Sequence, residues 1–258
     1  MSQRLEIIYN DEHVVAINKP AGLASIPGRD ESTSVIEALA KELDIPCSGQ
    51  VDPRIRVVHR LDKDTSGVIM FAKDLPTQRM ISHQFQNNQV RKEYLALVLG
   101  RPIGDPGKPE GEGEIDAAIA ADRSTPGKMV VHKSGKPART LWKIEKIYRS
   151  LTLLRAFPKT GKTHQIRVHL AHMGHPLVVD ELYGPPADAK GPGLFLSRYK
   201  RGYQLGKRQN ERPLIARLTL HAHKLAVKLP DGREMEFVAE LPKDFRAAIN
   251  MLDKYAHA

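Results

Sequence analysis

A single cysteine, Cys47, stands in 258 residues, which excludes an intramolecular disulfide framework and any zinc site built on thiolates alone. Long apolar runs are also missing: no stretch approaches the roughly 20 apolar residues that cross a bilayer. The opening Met1-Ser2-Gln3-Arg4-Leu5-Glu6 has no apolar segment of the kind a secretory leader needs. There is no internal repeat, no low-complexity tract and no regular alternation of strand and helix, so neither a solenoid nor a Rossmann sheet is expected. What these absences leave is an intracellular, cytoplasmic globular protein without a membrane association.

What is present is positive charge. Forty Lys and Arg oppose 30 Asp and Glu, a formal +10, while 41% of residues are hydrophobic and 27% charged. A chain of this length buries roughly 70–75% of its unfolded surface and needs no metal or disulfide staple. The excess of cations favours an anionic partner, nucleic acid being the commonest. No clear linker interrupts the chain, and the expectation is one domain over 1–258, acting as a monomer.

Apolar spacing predicts short strands over 5–9 and 13–18, and a helix to about Leu43 capped by Ser32 or Thr33. It predicts a buried strand over 67–73 and a helix from Leu75 with Pro76 in its first turn. Residues 92–99 alternate, with Tyr94, Ala96 and Val98 facing away from Leu95, Leu97 and Leu99. The Gly- and Pro-rich stretch 101–113 reads as a loop, followed by strands at 114–120, 128–132, 138–148 and 150–157. A helix over 163–173 ends at Gly174 with Pro176 beyond. Residues 185–213 read as a polar insertion with seven cations against two acids. A hairpin at Pro230-Asp231-Gly232 and a helix from about Pro242 to Tyr255 close the chain.

Three groups of residues invite a chemical reading. Thr160-Gly161-Lys162-Thr163 before a helix is close to a phosphate-cradling loop, but the pattern needs a glycine at 156, where Ala156 stands, and Pro158 has no N–H to offer. His164, His169, His172 and His175 could hold a metal, since His169 and His172 share a helix face; no cysteine lies nearby, and only Asp180 and Glu181 could complete the set. Packing or phosphate contact is the commoner fate of such histidines, and neither metal nor cofactor is expected. The third group is His59-Arg60-Leu61-Asp62-Lys63-Asp64-Thr65-Ser66-Gly67. An ordinary charged turn would account for it. An acid in a cleft that binds polyanion repels phosphate, however, and is odd unless it acts chemically.

The nine residues from His59 to Gly67 resemble the signature of the RluA family of RNA pseudouridine synthases. Further pieces resemble the family in the same order: Asn18-Lys19-Pro20-Ala21-Gly22, Lys92-Glu93-Tyr94-Leu95-Ala96, the stretch from Thr160 to Leu170, Gly174-His175-Pro176 through Tyr183-Gly184, and Leu220-His221-Ala222. Together they span about residues 5–245. The stretch from Asn18 to Arg29 is particularly similar to the family's namesake, whose substrates are a tRNA anticodon stem-loop and a 23S rRNA hairpin.

The resemblance implies an α+β fold with a mixed, mainly antiparallel sheet, a central cleft and flanking helices. It implies an isomerase that flips a uridine out of structured rRNA or tRNA and returns pseudouridine, with no cofactor. Asp62 matches the essential aspartate, Tyr94 the tyrosine that stacks on the uracil, and Arg167 the basic residue paired with the aspartate. Arg60 matches an arginine that holds the opened RNA, and Lys19, Lys63, Lys162 and His164 join it as expected RNA contacts. Many members carry an N-terminal S4 RNA-binding module; only four residues precede the first expected strand here. Affinity is then expected from the catalytic domain and the basic insertion 185–213.

Overall fold

A computed structural model describes residues 5–27, 33–45, 54–185, 193–204 and 210–257. Its elements, in chain order, are β1 (Glu6–Asn10), β2 (Val14–Lys19), α1 (Val35–Glu42), β3 (Arg56–Val57), β4 (Ser66–Ala72), α2 (Leu75–Gln86), β5 (Arg91–Leu99), β6 (Glu112–Asp116), β7 (Ile119–Ala121), β8 (Met129–Val131), β9 (Arg139–Ile147), β10 (Leu151–Pro158), α3 (Gln165–His172), a 3₁₀ turn (Leu196–Arg198), β11 (Leu220–Lys228), β12 (Glu234–Val238) and α4 (Lys243–Tyr255). Strand pairing is mixed and mostly antiparallel, with few helices, an α+β arrangement. Two compact units are formed, one from residues 1–93 and 221–240, the other from 94–220 and 241–258.

In the first unit, Asp11 closes the β1–β2 turn by accepting the N–H groups of His13 and Val14 at 2.8 and 2.7 Å. β2 lies antiparallel to β4, from Val14 opposite Ala72 to Lys19 opposite Gly67. Every residue of β4 is buried, as its continuous apolar run requires of a strand covered on both faces. α1 is capped by Ser34 rather than by Ser32 or Thr33. Only Ser34 has a glutamate three residues on, and Glu37 completes the reciprocal box by accepting the Ser34 N–H. α2 starts on Asp74, which accepts the Thr77 N–H at 2.7 Å, with Pro76 where no donor is needed. β11 runs parallel to β4 at His221 and Ala222 and antiparallel to β12.

In the second unit, β5, β10, β9 and β6 form antiparallel neighbours in that order, and β7–β8 is a separate hairpin. The alternation of β5 decides which side chain meets which helix. Leu95 and Leu97 pack with Phe245, Ala248 and Leu252 of α4. Ala96 and Val98, with Tyr94 beside them, pack with Ile166 and Leu170 of α3. The stretch 193–204 departs from its polar reading. Leu194 and Tyr199 are buried in the α4 cluster, and only Arg198 and Arg201 stand exposed as cations there. Lys190, Lys207, Arg208 and Asp188 of the insertion lie outside the described residues, as does Cys47.

Candidate functional site

Asp62 sits in the irregular segment between β3 and β4, half-buried, with Leu61 buried before it and Thr65 buried after it. The backbone on both sides is locked. Ser25 donates through Oγ to the Leu61 carbonyl at 2.7 Å and accepts the Leu61 N–H at 3.1 Å. The Asp62 carbonyl accepts the Thr65 N–H at 3.1 Å, which fixes the turn through Lys63 and Asp64. His59 accepts the Met70 N–H on Nε2 at 3.1 Å and stacks on Phe85 with centroids 4.5 Å apart. Desolvation of that ring, helped by the nearby Lys92 ammonium, pushes its pKa down to about 3, so it stays a neutral acceptor. Ser66 meets Nδ1 of the buried His221 at 3.0 Å, and the His221 Nε2 reaches the Ala239 carbonyl at 3.0 Å. The motif's last residue must be glycine: Gly67 has φ +119°, and a Cβ there would lie 2.1 Å from the Ala222 carbonyl oxygen.

Lys19 corrects an expectation. It is fully buried, and its ammonium donates to the carbonyls of Pro20, Leu23 and Lys63 at 2.9, 2.7 and 2.7 Å. A buried ammonium with those acceptors does not present itself to an RNA phosphate. It ties the 20–23 loop to the Asp62 turn, a role in which the Gly22 N–H joins at 3.0 Å, also on the Lys63 carbonyl. Arg60 and the Lys63 side chain, by contrast, are exposed on either side of Asp62.

Tyr94 lies on β5 opposite Ala156 of β10. Its ring is half-buried against the cluster of Ala96, Val98 and Ile166.

Arg167 projects from α3 and is 8% exposed. Its Nε and one terminal nitrogen each donate to a different oxygen of Asp180 at 2.8 Å, a bidentate pair. The Tyr183 ring lies 5.0 Å from the guanidinium carbon. The helix bearing Arg167 is held by the residues that looked like a phosphate loop. Gln165 accepts from Thr160 Oγ1 at 2.7 Å and from the Lys162 N–H at 3.0 Å, and donates to the Arg139 carbonyl and Thr140 Oγ1, both at 3.0 Å. A backbone N–H already given to Gln165 does not cradle phosphate.

Three of the four histidines have separate structural partners, and His172 is exposed. His169 is fully buried between Thr140 Oγ1 and the Ala117 carbonyl, both at 2.9 Å, and burial lowers its pKa. His164, at φ +55° before α3, meets the Tyr183 hydroxyl at 2.9 Å, and His175 bonds the Leu99 carbonyl. Among the described residues no three His, Cys, Asp or Glu side chains are grouped to hold a metal ion. Lys162 borders an open cavity of about 510 Å³ that also takes in Ile119, Met129, Ser134, Lys136 and Thr163.

Ser25, Gln165, Asp180, Tyr183 and His221 all fall within the stretches that resemble the family, yet reasoning from residue types gave none of them a role. They are polar residues whose burial no local pattern announces, and only the fold gives each a partner.

A family model described as RNA pseudouridylate synthase matches residues 13–172. The chain is 36% identical over 255 residues to a ribosomal large subunit pseudouridine synthase D of Yersinia pestis, covering 96% of this chain and 70% of that one. It is 34% identical to the protein of the same name from Nitrosomonas europaea, covering 98% and 67%. Among solved structures, human RNA pseudouridylate synthase domain containing 4 superposes with a TM-score of 0.71 at 27% identity, over 96% of this chain and 93% of that one.

Proposed function

Because the chain belongs to the RNA pseudouridylate synthase family and isomerises specific uridines in RNA to pseudouridine, we propose that Asp62 is its essential carboxylate, acting with Tyr94 and Arg167 on one uridine. The observation that carries this reading is the asymmetry of the Asp62 loop. Ser25 and Lys19 hold its backbone at Leu61 and Lys63, and the side chains of His59 and Ser66 are anchored on the Met70 N–H and on His221, while the Asp62 side chain is half-exposed. Rigid backbone around an accessible acid is what positioning of a reactive group demands.

The reaction breaks the N1–C1′ bond, turns the base and joins C5 to C1′. N1 gains a proton and C5 loses one, so the sum is an isomerisation with no redox change. The uridine must first leave its stack, at a cost of a few kcal/mol that aromatic and cationic contacts offset. Tyr94 supplies the ring for the flipped base and a hydroxyl for a proton transfer. Asp62 serves as nucleophile at C1′ or as base at C2′, and both roles need a carboxylate rather than an amide. Arg60, Lys63, Lys162 and His164 are the proposed RNA contacts, with Arg198 and Arg201 adding affinity from the insertion.

The substrate we propose is a stem-loop of ribosomal RNA, following the names of the relatives, with a tRNA stem-loop as competitor in the same assay. Residues 1–258 act as one catalytic domain, monomeric and cytoplasmic, with no membrane partner; the family match from 13 to 172 draws on both compact units. Among the described residues no helix is long and apolar enough to cross a membrane. Tritium release from RNA carrying 5-tritiated uridine, without ATP, tests the whole reading. Asp62→Asn should lower the single-turnover rate at saturating enzyme by roughly 10³-fold or more, with an unchanged melting curve and level or slightly tighter RNA binding. Substantial activity in a folded Asn variant would refute the assignment.

A further inference from the structure

We infer that Asp180 and Tyr183 are positioning residues for Arg167, and that together they set the plane and direction of its guanidinium for the reaction proposed above, on which this inference rests. The Asp180 side chain has no exposed surface and that of Arg167 only 9%. Oδ2 of Asp180 takes the Arg167 Nε, and Oδ1 takes one terminal nitrogen, both at 2.8 Å. The same Oδ1 accepts the N–H groups of Leu182 and Tyr183 at 3.0 and 3.2 Å. One carboxylate therefore holds the edge of the guanidinium and also folds the turn that brings Tyr183 round.

The face of the guanidinium is set by the ring of Tyr183, 5.0 Å from its central carbon, the arrangement in which a cation is attracted to an aromatic face. That ring is itself anchored at its far end. The Tyr183 hydroxyl accepts the Met129 N–H at 2.8 Å and meets His164 Nδ1 at 2.9 Å. Edge and face are thus fixed by groups tied to α3, β8 and the 180–184 turn. A fork held at Nε and one terminal nitrogen keeps only the rotation its partners permit, and lysine, a point charge, could not replace it. A buried ion pair adds little net stability, because desolvation of both charges offsets their attraction. Holding the guanidinium in one orientation is a use that this cost leaves intact.

Asp180→Asn is the sharp variant. Its Oδ1 can go on accepting from Leu182, Tyr183 and the terminal nitrogen, while its amide puts a donor against the Nε–H of Arg167 and turns the fork away. The single-turnover rate of uridine conversion should fall roughly ten- to a hundredfold, with RNA affinity within about threefold of wild type. Tyr183→Phe, which keeps the ring and loses the tether, should fall less than Tyr183→Leu, which loses the face. The deciding readout is a double-mutant cycle. Arg167→Met combined with Asp180→Asn should be no slower than Arg167→Met alone, because nothing remains to be positioned. Independent, multiplying losses would show Asp180 to be a support of the turn only, and would overturn the inference. If Asp180→Asn lowers the melting curve, the two Tyr183 variants, on a half-buried residue, carry the test, and equal rates for wild type and Tyr183→Leu would overturn it. Failure of the wild-type chain to release tritium from any RNA would instead overturn the proposed reaction, and this inference with it.

Discussion

Tyr94 carries two separable properties, a ring and a hydroxyl. Tyr94→Phe keeps the ring on its cushion of Ala96, Val98 and Ile166, so RNA binding should persist while turnover drops roughly 10²-fold. Tyr94→Ala should also weaken productive placement of the uracil by ~1–3 kcal/mol. Full activity in the Phe variant, read by single-turnover conversion, would leave stacking as the residue's whole role. Lys19 is the residue at which type and environment part company. A lysine beside a loop in a basic protein reads as a phosphate contact, yet its ammonium serves three carbonyls in the interior. Lys19→Met would strand those carbonyls, so folding should weaken by about 2–4 kcal/mol and the melting temperature fall by roughly 5–15 °C. The salt dependence of RNA binding by the remaining folded protein should not change. A smaller salt slope with an unchanged melting curve would restore Lys19 to the RNA-contact set.

At the scale of elements, β4 and α2 meet through His59, which bridges the Met70 N–H and the Phe85 ring. Its pKa in the fold, about 3, lies below the ordinary 6.5. Between those values the unfolded chain binds the extra proton and the folded chain does not, so stability is lost as pH falls from about 6.5 towards 3. Melting temperature should drop between about pH 7.5 and pH 5 in the wild type. In His59→Gln, whose side-chain oxygen can still accept the Met70 N–H, the drop should be shallower. Parallel profiles for the two proteins would show that His59 does not titrate with unfolding. The helices illustrate which boundaries local sequence defines. Asp74 with Pro76 mark the start of α2 in the local sequence, whereas α1 offered adjacent hydroxyl residues, and the glutamate spacing selected Ser34. The stretch 193–204 shows the limit of composition. Its cations are conspicuous, yet Leu194 and Tyr199 bury themselves with α4, because a few apolar residues in a polar stretch suffice to anchor it.

For the whole molecule, the excess of ten positive charges leads to a measurable expectation. With about four to six phosphate contacts, RNA affinity should fall roughly a hundredfold between about 50 and 200 mM salt, through counterion release. A flat titration over that range would reduce the charge to a solubility feature.

The sequence by itself determined the strand-rich order, the two-sided character of β5, the buried run of β4 and the motif around Asp62. All of these depend on neighbours within a few residues, where spacing and residue type are enough. Tertiary structure decided the partners. Asp180 lies thirteen residues from Arg167, Ser25 thirty-six from Leu61 and His221 one hundred and fifty-five from Ser66. Such pairs are invisible to periodicity, because what makes them is burial: a polar group removed from water must find a hydrogen-bonding partner wherever the fold brings one. That requirement turned Lys19 into a loop tie, gave His164, His169 and His175 separate partners and gave Arg167 the carboxylate that holds it.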